Sequence, residues 1–127
     1  MSEPFIGEIR MVGFDFPPKG WALCDGSMLN AQQHSSLFSL LGNAFGGDQT
    51  NFALPDMQSR FPIGAGQGDE LTSYFRGEKG GVENAPLHNM GSSAIGNTGA
   101  GHSHENMPPF LAVYFIIALQ GKFPSRN

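Results

Sequence analysis

Apolar and polar positions alternate from Phe5 to Val12, with Ile6, Glu8, Arg10 and Val12 on one side and Phe5, Gly7, Ile9 and Met11 on the other. A period of two predicts a strand. Phe16-Pro17-Pro18-Lys19-Gly20 cannot continue a ladder and predicts a turn. Trp21-Ala22-Leu23-Cys24 then reads as a short buried strand that ends at the Asp25-Gly26 turn. The spacing next changes to that of a helix. Leu37, Phe38, Leu40 and Leu41 form an apolar stripe, with Asn30 as expected N-cap, Gln33 completing a capping box and Gly42 at C′. Gly46-Gly47-Asp48-Gln49 is a loop. Phe52 to Asp56 and Phe61 to Gly64 are short extended pieces interrupted by prolines, as at sheet edges.

From Gly64 to Gly101 the apolar pattern fades into Gly, Ser, Asn and Thr. This stretch predicts an insertion, a loop system, or an extended segment ordered by neighbouring chains. After Met107-Pro108-Pro109 comes the run Phe110 to Leu119, apolar on both faces as in a strand covered on both sides. Phe110, Leu111, Val113, Phe115, Ile117 and Leu119 are the candidate interface between copies. The organisation expected is residues 1–64 as one domain, 65–107 as a glycine-rich insert or tip, and 108–127 as a strand completing the fold. The fold class expected is mostly β with one short α-helix.

Composition sharpens this picture. Eighteen glycines and nine prolines in 127 residues exceed the usual shares of about 7% and 5%. Charged residues are 14% against roughly 25% in ordinary domains, which fits surface buried between subunits. Eleven phenylalanines supply core material and argue against disorder. The net charge is −4 and the seven Lys and Arg are scattered, so a nucleic acid partner is not expected. Cys24 stands alone, forms no intrachain disulfide, and is expected to be a buried hydrophobe. Met1 to Pro4 lacks the charged and apolar regions of a signal peptide. Phe110 to Leu119 is half the ~20 residues that span a bilayer. The expectation is a chain made in the cytoplasm, without membrane insertion.

Candidate chemistry concentrates at Gly101-His102-Ser103-His104-Glu105. An i, i+2 histidine pair on an extended strand presents both imidazoles on one face. Two ligands do not fill a coordination shell, so any metal at His102 and His104 would draw its other ligands from further copies. The alternatives are two polar residues in a loop, or a histidine cluster acting as a pH-sensitive joint. Glu105 on the opposite face gives no general base beside such a metal, which argues against a metal-dependent hydrolase. Asp25, Asp48 and Asp56 sit at turns, where carboxylates bond local backbone. His34, with no partner at i+3 or i+4, is a surface or packing residue. Gly64 to Gly68 lacks the Lys-Ser or Lys-Thr of a phosphate loop. No nucleophilic triad is legible, and no enzymatic activity is expected.

The blocks Gly7-Glu8-Ile9-Arg10, Pro18 to Gly26, Leu37 to Gly42, Phe45 to Asp48 and Phe52 to Asp56 follow one another in an order that resembles the phage tail collar family. Asn106 to Phe110 with Phe115 to Leu119 resembles the closing strand of bacterial members labelled microcystin-dependent proteins. The resemblance covers residues 4–64 and 102–127. It departs from the family where Gln49-Thr50-Asn51 follows the glycine loop, at Met57-Gln58-Ser59, and in a short middle segment. What the resemblance implies is a glycine-rich collar fold, intertwined in a homotrimer as in the related short tail fibres of T-even phages. It further implies a transition metal ion, iron, zinc or nickel, shared between chains at His102 and His104. The function implied is a structural subunit of a phage tail fibre or phage-derived fibre, with assembly and adhesion roles, located in a virion tail. Its partners would be itself, other tail or fibre proteins, and a cell-surface receptor. The alternative is a free-standing bacterial collar protein that self-assembles into an extracellular filament or surface appendage.

Overall fold

The computed structural model describes residues 3–86 and 103–126, with the backbone alone at 85, 86 and 103–105. In chain order the elements are β1 (Ile9–Val12), β2 (Trp21–Leu23), β3 (Met28–Asn30), α1 (Ser35–Leu41), β4 (Asn51–Ala53), β5 (Gly66–Gln67), β6 (Ser73–Tyr74), β7 (Asn84–Pro86), β8 (Ser103–Glu105) and β9 (Tyr114–Ala118). The fold is therefore mostly β, in small antiparallel sheets, with one short helix among the described residues. The chain forms two compact units: Met1–Glu78 with Val113–Asn127, and Lys79–Ala112. Residues 65–78, which the sequence grouped with the insert, lie in the first unit.

The first unit is organised by β9. It is the middle strand of a sheet ordered β1-β9-β2, antiparallel to both neighbours. Ile117 faces Ile9 on one side and Ala22 on the other, while Ile116 faces Arg10 and Leu23. A strand flanked on both sides with covered faces needs apolar residues throughout, and Ile116, Ile117 and Ala118 are all buried. The ladder is shorter than the apolar run. It begins at Tyr114 because β1 and β2 offer only four and three residues to pair with. Phe110 and Leu111 fall outside it. Trp21 to Leu23 are half-buried rather than fully covered, and Cys24 beyond them is buried as expected.

β1 starts four residues later than the alternation suggests. Phe5-Ile6-Gly7-Glu8 is a turn, with Gly7 at φ +87° and the Glu8 amide donating to the Phe5 carbonyl at 3.0 Å. The positive φ is a conformation that glycine adopts at little cost. The Gly7 amide donates to the Ala118 carbonyl, and the Ala118 amide donates to the Glu8 carbonyl, both at 2.9 Å. Two residues thus oppose one, which is a bulge, and regular pairing begins only after it. Just before the turn, the Lys122 amide donates to the Pro4 carbonyl at 2.8 Å and the Ile6 amide to the Lys122 carbonyl at 2.9 Å.

The capping box is not formed. Asn30 is still paired with Asn51 in the antiparallel β3–β4 ladder, so the backbone must turn before it can coil. Asn30 Oδ1 accepts from the amides of Gln32 (2.9 Å) and Gln33 (3.0 Å) and closes that turn. The N-cap of α1 is His34, with no side-chain capping bond. Gly42 ends the helix at φ +55°, its amide donating to the Phe38 carbonyl at 2.7 Å. Leu37 and Leu41 are buried, and they meet Phe52, Leu54, Cys24, Ala31 and Ile117 in one core. The Phe38 and Phe52 rings lie 5.1 Å apart at 50°. One cluster therefore joins the helix, the β3–β4 ladder and the central strand.

The short extended pieces differ from one another. Phe52 and Ala53 lie in β4, whereas Phe61 to Gly64 joins no strand. β5 and β6 pair as a ribbon of two-residue strands, Gly66 with Tyr74 and Gln67 with Ser73. In the second unit β7 and β8 pair antiparallel, Ala85 opposite His104, and the Asn106 amide extends the ladder to the Glu83 carbonyl at 2.7 Å.

Candidate assembly surface

The six residues of the apolar run divide into two groups. Phe115 and Leu119 pack against the core, and Ile117 has no exposed surface. Ile117 is thus part of its own chain's interior. Phe110 (72%), Leu111 (87%) and Val113 (40%) are exposed. Local period does not separate the groups, because the division depends on where β1 and β2 stop.

Other apolar side chains join the exposed group. Among the described residues, seventeen large apolar side chains are exposed, against ten buried hydrophobics in the core. Scattered exposed apolar residues are ordinary in soluble proteins. Here, however, Ile9 and Met11 occupy the outer strand of the sheet, Phe14 and Phe16 lie 5.2 Å apart in the following loop, and Tyr114 opens the central strand. Ile9, Met11 and Tyr114 were assigned to strands and Phe16 to a turn from the sequence, and nothing in their spacing tells an inner position from an outer one.

Of the candidate metal ligands, His102 lies outside the described residues. His104 has its backbone in β8, the extended conformation that an i, i+2 reading requires. Among the described residues there is no group of three or more His, Cys, Asp and Glu able to hold a metal.

The turn carboxylates are tied to local backbone. Asp25 Oδ1 accepts from the Ser27 amide at 3.0 Å and from the Ser27 hydroxyl. Asp56 Oδ1 accepts from the Gln58 amide at 3.1 Å. Asp48 Oδ1 accepts from the amides of Asn51 (3.0 Å) and Thr50 (2.8 Å), and these bonds, that from Asn51 first, hold its pKa below the ordinary value. Gly47 packs beside this loop at φ +89°, where a Cβ would overlap the Asn51 carbonyl oxygen. Glu8 accepts from the Phe5 amide and pairs with Arg10, and both interactions lower its pKa. The Arg10 guanidinium also lies 5.0 Å over the Trp21 ring. Burial, and then the nearby Asp25 charge, push the Cys24 thiol up to about 12, so it is not an available nucleophile at neutral pH.

This framework can be set beside known proteins. Residues 7–62 match the phage tail collar domain. The match begins at the Gly7 bulge and takes in β1 to β4 with α1. It stops before β9, so the strand that completes the sheet lies outside the matched segment. The short tail fiber protein gp12 of Enterobacteria phage T4 is 35% identical over 69 residues, covering 54% of this chain. The chain spans only 13% of that fibre protein's length. The turns at Gly7, Gly26 and Gly47, the α1 stripe and the β3–β4 ladder around Phe52 thus all lie in the segment, residues 7–62, that matches the phage tail collar domain.

Proposed function

We propose that this chain is a structural subunit of a phage tail fibre or phage-derived fibre, and that its work is assembly and adhesion. The observation that carries the reading is the similarity of the collar-bearing segment to a short tail fibre protein. The exposed apolar residues Ile9, Met11, Phe110, Leu111 and Val113 support self-association, since burying them removes apolar surface from water at roughly 25 cal/mol per Å². In this reading three copies close on one another in a virion tail, and other tail proteins and a cell-surface receptor are the remaining partners. Closure at three copies also distinguishes it from a free-standing bacterial filament.

A metal ion shared between copies belongs to the same proposal. His102 and His104 of each copy would hold it, and imidazole donors suit iron, nickel or zinc. The ion would tie the chains together, and its removal would loosen them.

Native mass spectrometry at neutral pH, with and without a chelator, tests both parts. Three chains plus one transition-metal ion is the expected mass. The variant with His102→Ala and His104→Ala should lose the ion. A metal-free monomer would overturn the assembly reading, and an open ladder of masses would overturn closure at three. A trimer whose mass and metal content are unchanged in the double variant would remove the histidines from the proposal and leave the rest.

A further inference from the structure

The last turn of α1 contains no basic residue. A helix C-terminus leaves carbonyls without intrahelical partners and carries partial negative charge. Arg76, far along the chain, supplies what the helix lacks. Its Nη1 donates to the Leu40 carbonyl at 3.0 Å and its Nη2 to the Leu41 carbonyl at 3.3 Å. A planar guanidinium can span two neighbouring carbonyls, whereas an ammonium is a single point of charge.

The residues around Arg76 are shaped for this contact. Gly77 has φ +88° and lies against the helix exit so closely that a Cβ there would overlap the Ala44 carbonyl oxygen. The Glu78 amide donates to the Phe75 carbonyl at 3.0 Å, and the Phe75 amide donates to Glu78 Oε1 at 2.9 Å. Phe75-Arg76-Gly77-Glu78 repeats the turn Phe5-Ile6-Gly7-Glu8, with the same glycine conformation and the same two bonds. Residues 58–76 are otherwise exposed along their whole length. The first unit pauses at Glu78 and resumes at Val113.

We infer that Phe75 to Glu78 is a clasp, closed by Arg76 on the C-terminus of α1, that fastens the β5–β6 ribbon to the helix and ends this passage of the first unit. A two-stranded ribbon with no buried face is marginal by itself. Its order therefore depends on the clasp, whereas the sheet around β9 depends on the core. Opening the clasp is a local event.

Hydrogen exchange read by mass spectrometry on the full chain tests this, comparing wild type with Arg76→Ala, Arg76→Lys and, as a neighbouring control, Lys79→Ala. In Arg76→Ala, peptides covering residues 64–78 should exchange about tenfold faster, in keeping with the loss of two charge-assisted bonds. Peptides covering β9 should be unchanged. Arg76→Lys should recover less than half of the protection, and Lys79→Ala should match wild type. Unchanged exchange at residues 64–78 in Arg76→Ala would overturn the inference. Equal acceleration in β9, or loss of folding, would do so too, because it would make Arg76 a support of the whole unit. Full recovery in Arg76→Lys would overturn the two-carbonyl fork.

Discussion

Phe52→Ala tests whether one core holds the helix, the β3–β4 ladder and the central strand together. Phe52 is fully buried, pairs through β4 with Leu29 on β3, and meets the Phe38 ring of α1. Truncating a buried Phe costs about 3–5 kcal/mol. Of this, roughly 0.5–1.5 kcal/mol belongs to the aromatic pair. A domain of this kind holds about 5–15 kcal/mol in all, so the change removes a large share. Trp21 is the only tryptophan and sits on β2, away from the substitution, which makes its fluorescence a report on the sheet. With a urea slope of roughly 2 kcal/mol/M, the unfolding midpoint should fall by about 2 M. Protein concentration must be matched between samples, since association adds to apparent stability. A double-mutant cycle with Phe38→Ala should return the pair energy as coupling. A midpoint shift under about 0.5 M, corresponding to roughly 1 kcal/mol at that slope, would refute the shared core. So would a shift seen by helix circular dichroism but not by Trp21.

Two further outcomes follow from the titratable groups. The Asp48 pKa is held below its ordinary value by the Asn51 amide and then the Thr50 amide. Its contribution to the Gly46 to Asn51 loop is thus present above pH ~4, the unfolded-state value, and is lost as pH falls through the lowered value. NMR of those two amides should show one titration below the ordinary carboxylate range that disappears in Asp48→Asn; a midpoint at or above that range would count against the geometry. Cys24 should resist a thiol reagent at pH 8 in the folded protein and react at once in denaturant, because burial pushes its pKa to about 12. The same shift favours unfolding as pH rises from 9 toward about 12; fast reaction of the native protein at pH 8 would refute the burial.

The parts of the fold set by local pattern were legible in the sequence. Leu37 and Leu41 repeat at helical spacing, and α1 buries both. Asp25, Asp48 and Asp56 follow turn chemistry, and each bonds the backbone a few residues on. The parts set by distant contacts were not legible. The N-cap moved to His34 because Asn30 was held by Asn51 across the β3–β4 ladder. The apolar run was longer than its strand because its length depends on β1 and β2. Arg76 carried no signal at all, since its partners lie 35 and 36 positions earlier. Of the candidate interface residues, Phe110, Leu111 and Val113 are exposed while Ile117 belongs to the interior, a division that depends on where the neighbouring strands stop.

The place of β9 between β1 and β2 also fixes an order of events during synthesis. The β3–β4 ladder and the backbone bonds of α1 lie within the span from Met28 to Ala53 and can form once that span is made, although the core they share closes only with Ile117. β1 and β2 cannot, because the strand that joins them begins at Tyr114. At 5–20 residues per second, β2 waits roughly 5–20 s for its neighbour. Through that interval Trp21 and Leu23 have no ladder, and the sheet must then close over a long loop, which is slow. A chain stopped just short of Tyr114 would hold both outer strands and none of its central sheet.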